Sequence, residues 1–223
     1  MRPSPLTRTL TLPALLLLAA LPAACKTAEG HDMAAETADQ VLEVGGDAGQ
    51  TQLYLDKTLD SLEKLSATGG QDPMPAYKAF SSDLASFKSE FDSLRSGRAD
   101  LRGKAETWFT EFEKRNTAIQ DEDLRETGAK RLAEFRDRVA ETTGKIDELV
   151  EATNKLELRL GDLKTYLGND LTADGIKAVS GRIEDLSKDG RKIAVRMGEL
   201  SKASVPLAEH MRAARKPAPA EEK

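Results

Sequence analysis

The chain repeats apolar residues at alternating steps of three and four over most of its length. From Leu132 the series continues through Phe135, Val139, Thr142, Ile146, Leu149, Thr153, Leu156, Leu160, Leu163 and Leu167 without a break. Steps averaging 3.5 residues put every member on one stripe of an α-helix and predict partners wound in a left-handed supercoil. The spacing also holds upstream, first in Val41, Val44, Ala48, Thr51, Leu55, Thr58, Leu62 and Leu65. A second series runs Tyr77, Phe80, Leu84, Phe87, Phe91, Leu94, Arg98, Leu101, Ala105, Trp108, Phe112, Arg115 and Ile119. The last runs Ile176, Val179, Ile183, Leu186, Gly190, Ile193, Met197, Leu200, Ser204, Leu207 and Met211. The expected fold is all-α: an elongated antiparallel bundle, or coiled coil, of about four long helices spanning residues 36–212.

Polar turns separate the four series. They lie at Gly69–Pro75, around Gln120–Asp123 and at Gly168–Thr172. Connections this short cannot carry the chain back along a long helix, so successive helices must run antiparallel. Asp72 ahead of Pro73 reads as an N-cap with proline in the first turn, and Asp121 with Glu122, Asp123 and Glu126 sets anions at a helix N-terminus. Thr172 is placed to cap the last helix, with Leu171 and Ile176 as a hydrophobic staple, and Gly69 to end the first. Pro206 removes a backbone donor and predicts a kink or an end. Gly128, Gly144, Gly161, Gly181, Gly190 and Gly198 each weaken a helix by about 1 kcal/mol relative to alanine. Gly190, on the seam, is the position where close backbone approach is expected.

Composition narrows the function more than the fold. The 223 residues are 39% apolar, 32% charged and 4% aromatic, with net charge −5. That is too apolar for a wholly disordered chain and too acidic for a nucleic-acid binder. Two histidines and one cysteine exclude a disulfide framework and a thiolate zinc site. His31 and His210 have no ligand partner at useful spacing, and no metal ligand is expected. No phosphate-binding loop, dinucleotide fingerprint, metalloprotease motif or nucleophile elbow is present, so no catalytic or cofactor-binding residue is expected. Asn169–Asp174 lacks calcium-loop spacing and reads as a helix-capping turn.

Three groups of side chains invite a chemical reading. Glu111 and Glu113 beside Trp108 and Phe112 read either as an acid pair in an aromatic cleft or, more simply, as the solvated edge of a packed aromatic stripe. Arg98 and Arg115 fall on a seam where an unpaired charge is costly. They are expected to snorkel outward or to meet a carboxylate on a neighbouring helix, in preference to holding a ligand carboxylate. Leu42, Leu53, Leu59, Phe109 and Val195 stand beside the seam, where they either widen the core or form a docking face.

The N-terminus supplies an address. Arg2 and Arg8 precede a twelve-residue apolar run, Leu10–Leu21, followed by Pro22-Ala23-Ala24. The run spans only ~18 Å, too short for a bilayer, and residues 1–24 read as a secretory signal peptide. The single cysteine follows at once, and Leu21-Pro22-Ala23-Ala24-Cys25 resembles the lipobox of bacterial lipoproteins. That resemblance implies acylation at Cys25, although Pro22 stands where an aliphatic residue is usual. Cleavage there removes Arg2 and Arg8 and shifts the net charge from −5 to −7. Attraction to anionic lipid would not hold such a chain at a membrane, so the lipid anchor must do so. Residues 25–35 read as the acylated end and a polar tether, and 213–223 as a disordered tail. Lys26, in place of aspartate, favours the periplasmic side of the outer membrane under the lipoprotein sorting rule.

Trp108-Phe109-Thr110-Glu111-Phe112-Glu113, Asp121-Glu122-Asp123-Leu124-Arg125 and Leu167–Ile176 together resemble the bacterial domain-of-unknown-function family numbered 2959. Phe109 matches a family phenylalanine, Phe112 takes a tryptophan position, and Leu124 and Arg125 match directly. Leu167, Leu171, Ala173 and Ile176 are retained, while Thr172 replaces an asparagine. The family's basic segment in the first helix and its lysine-histidine pair before the fourth are missing here. The resemblance implies a helical bundle in the cell envelope and carries no established activity. The expected function is a non-enzymatic envelope lipoprotein serving as spacer or docking surface for another envelope protein. The alternative is a bundle that carries a small apolar or lipid ligand. Long coiled coils also associate through their outer faces, so a homo-oligomer is compatible with the pattern.

Overall fold

The computed structural model describes residues 29–68 and 71–213. They form α1 (Glu29–Ser66), α2 (Met74–Thr117), α3 (Glu122–Asn169), α4 (Ala173–Ala178) and α5 (Ser180–Ala213), with no strand among the described residues. α1 packs on α2 and α5, and α3 packs on the same two helices from the other side. The result is an all-α up-down-up-down bundle. α3, at 48 residues, is about 72 Å long and α5, at 34, about 51 Å.

The heptad series are the core. Every member of the first is buried, as is every member of the third except the half-buried Thr142. In α2, Phe80, Phe87 and Phe91 are fully enclosed, and the Phe87 and Phe91 rings lie stacked with centroids 6.0 Å apart. Each such side chain contributes roughly 1.5–3 kcal/mol relative to exposure. The buried seam threonines are satisfied within their own helix: Thr51 donates to the Asp47 carbonyl at 2.7 Å and Thr153 to that of Leu149 at 2.7 Å. Threonine can thus occupy a seam position without leaving an orphaned polar group.

The termini follow capping chemistry, with one shift. The Asp121 carboxylate accepts from the Leu124 N–H at 3.0 Å, and the Thr172 hydroxyl from Gly175 N–H at 3.0 Å. At the start of α2 Pro73 occupies the N-cap position, while Asp72 one residue earlier accepts from Met74 N–H at 3.0 Å. Gly69 lies outside the described residues.

Three expectations need correction. The last series forms two helices, because at Val179 the chain tightens into an i→i+3 hydrogen bond to the Ile176 carbonyl. Helix then resumes, with Ile183 N–H bonding Val179, so both parts share one seam. α1 begins at Glu29, inside the stretch read as tether. Ala34 within it and Ala38 just beyond it are buried, and apolar contact combined with high helix propensity extends the rod. Of the two outcomes expected at Pro206, a kink or an end, the end does not occur, since α5 continues to Ala213. The carbonyl freed by the missing N–H belongs to Lys202, an exposed residue that water can reach.

Candidate functional site

Cys25, the expected lipid-attachment residue, lies outside the described residues, as do residues 1–24, read above as a signal peptide, and residues 214–223. α1 brings the chain toward that cysteine at one end of the bundle, the end also occupied by the α2–α3 turn and the last turn of α5.

An aromatic cluster fills this end. Trp108 packs against Phe109 and Phe135 with centroids 5.2 Å away in both cases, edge-on to Phe135. His210 lies 6.0 Å from the Phe135 ring, and Arg136 sits over Phe109 at 5.6 Å. Trp108 and Phe109 are buried, and Trp108 Nε1 has no hydrogen-bond partner. The neighbouring acids do not form a pair across a cleft. Glu113 is exposed and bridges to Arg136 at 2.8 Å, while Glu111 approaches Lys114 at 3.6 Å. This geometry is that of a packed stripe with charged edges.

Arg98 meets a carboxylate on a neighbouring helix, its Nε 2.9 Å from Asp147 Oδ1. Arg102 pairs with the same aspartate, so two α2 guanidinium groups clamp one residue of α3. Arg115 is half-buried in the last turn of α2. Arg95 adds a second link to α3, pairing with Glu157 at 2.6 Å while stacking on Phe91 at 4.0 Å. Between α1 and α5, Arg191 pairs with Asp56 at 2.8 Å and also with Asp60. Its hydrogen bond to Asp60 holds the guanidinium pKa above its ordinary value. Charged groups at helix edges thus fix the register.

His31 falls in the first turn of α1 and His210 is exposed on α5. Among the described residues no group of acids, histidines and cysteines could hold a metal, and no helix is long and apolar enough to cross a membrane. Of the apolar residues beside the seam, Leu59 and Phe109 join the core and Leu42 packs partly against it. Leu53 and Val195 remain exposed. A cleft of about 650 Å³ lies between α3 and the α4–α5 junction, with Leu163, Tyr166, Val179, Arg159 and Arg182 among its lining residues.

Two features were missed by heptad reasoning. Gly45 lies so close to α5 that a Cβ there would fall 2.5 Å from Ser204 Cβ. Asp47 lies at the α1–α2 interface near Gly97, and its pKa is raised by partial burial and then by Glu43 and Glu90. The glycine-rich run Val44-Gly45-Gly46-Asp47 was the available signal. Gly190 behaves as expected, since a Cβ there would meet Leu59 Cδ1 at 2.7 Å.

These features define the class as an antiparallel α-helical bundle with a filled core and ion-paired edges. Comparison with protein-family models, curated proteins and solved structures yields no match.

Proposed function

We propose that the chain is a non-enzymatic bacterial envelope lipoprotein, acylated at Cys25, whose bundle acts as a spacer or docking surface for another envelope protein. The observation that carries this reading is the position of the only cysteine, four residues beyond the apolar run Leu10–Leu21. A lone thiol in an oxidising compartment is a liability unless it is used, and acylation uses it. Lys26 after the cysteine favours the periplasmic side of the outer membrane, and the motif resemblance to the family numbered 2959 points to the same compartment. The filled seams suit a stiff rod better than a container. Detergent-phase partitioning of the full chain, expressed with its own N-terminus in a Gram-negative host, tests the reading. The native chain is expected in the detergent phase and Cys25→Ala in the aqueous phase; a native chain in the aqueous phase contradicts it.

The α3–α5 cleft favours one second reading, carriage of a small apolar or lipid molecule. Leu163 and Val179 offer an apolar wall, and Arg182 suits an acidic head, while Arg159 is held by Asp189 at 3.0 Å. Saturable binding of a fluorescent fatty acid, lost in Val179→Asp, would support it.

A further inference from the structure

We infer that the α2–α3 turn is the foot on which the anchored bundle stands, pressed against zwitterionic lipid headgroups. The inference rests on the lipoprotein reading above and adds the orientation of the molecule on its membrane. Thr51 donates to the Glu90 carbonyl at 3.2 Å and Gly97 lies against Val44, which fixes the antiparallel register of α1 and α2. In that register Glu29 is level with Phe112. α2 runs on to Thr117 before the turn, so the hairpin projects about 8 Å past the start of α1. Only three residues separate Cys25 from Glu29, and the four Cα–Cα steps between them span at most ~14 Å even fully extended. The acylated residue therefore reaches no more than ~6 Å beyond the hairpin, about the depth of one headgroup layer. An anchored bundle has no slack with which to hold its hairpin clear of the lipid.

The turn itself suits that position. Leu124 is 61% exposed in the first turn of α3, its N–H held by Asp121. Around it stand Asp121, Glu122 and Asp123, with Arg125 already paired to Glu122 at 3.1 Å. Excess carboxylates disfavour anionic lipid and complement the outward-facing ammonium groups of phosphatidylethanolamine. The lipid anchor supplies the attachment, and the turn sets how the rod stands.

The test uses full-length, acylated protein in vesicles of phosphatidylethanolamine and phosphatidylcholine carrying a headgroup nitroxide quencher. A fluorophore is placed on Leu124→Cys or, at the far end of α1, on Lys64→Cys. Residue 124 is expected to be quenched several-fold more than residue 64. Inserting a flexible Gly-Ser segment between Lys26 and Thr27 is expected to abolish the difference. Intact mass separates the two ways of failing. A chain without acyl groups overturns the anchor and this inference together, whereas an acylated chain with equal quenching at both sites overturns this inference alone.

Discussion

α1 and α3 lie diagonally across the bundle and solve the same packing problem with different residues. α1 buries Ala34, Ala38, Ala48, Thr51 and Thr58, with its fully buried leucines confined to the stretch between Leu55 and Leu65, and its backbone runs close to both α2 and α5. α3 buries Leu132, Leu149, Leu156, Leu160, Leu163 and Leu167 and stands further from the same neighbours. Small residues let backbones approach, so one interface is limited by steric room. Large residues fill a wider gap, so the other depends on volume. A single heptad pattern therefore encodes two kinds of interface, one damaged by added volume and the other by removed volume.

Removing volume from α3 is the largest expected perturbation. Leu160 is fully buried, and Leu160→Ala should cost about 2–5 kcal/mol through lost burial and the cavity left behind. Urea denaturation would read this as a lowered midpoint at unchanged slope. Adding volume to the tight interface comes next: Gly45→Ala should cost about 1–3 kcal/mol through overpacking. Ser204→Gly in the same chain should restore most of the loss, and a double-mutant cycle without coupling would contradict the proximity of the two residues. The same glycine-to-alanine change in α3 should have the reverse effect. Gly144 faces open space, so Gly144→Ala should gain up to about 1 kcal/mol from helix propensity.

The smallest expected effect concerns charge. Asp147 of α3 is clamped by Arg98 and Arg102, whereas Asp47 of α1 is pushed up by partial burial with Glu43 and Glu90 nearby. A raised folded-state pKa means that the protonated carboxyl fits the fold better. Its stabilising contribution is present below the ordinary aspartate range and is lost as pH rises through the folded value. Asp47→Asn should then stabilise the neutral-pH protein relative to wild type, and the advantage should vanish at pH 3. Solvent around this half-buried group keeps the gain below about 1 kcal/mol. Thermal midpoints of the two chains across this range would decide it, and a mutant less stable at neutral pH would contradict the sign.

The fold was legible because a 3.5-residue repeat states directly which side chains face inward. Leu132 to Leu167 and Val41 to Leu65 could be placed in the core from spacing alone, and Asp121 and Thr172 could be placed as caps from local chemistry. What spacing could not give depends on partners distant in sequence. The closeness of Gly45 to Ser204 and the choice of Asp147 as partner for Arg98 require the register between helices, which a pattern along one helix does not contain. The tightened turn at Val179 and the helix reaching back to Glu29 depend on tertiary contact overriding local signals. For the candidate site the balance is reversed. The proposal for Cys25 rests on the sequence alone, because that residue lies outside the described residues.

The most direct test of the envelope-lipoprotein account is the intact mass of the mature native chain. The account predicts residues 25–223 carrying glyceride-linked and amide-linked acyl chains, a mass increment absent from Cys25→Ala. A mature chain with an unmodified cysteine, or one cleaved at another residue, would contradict it.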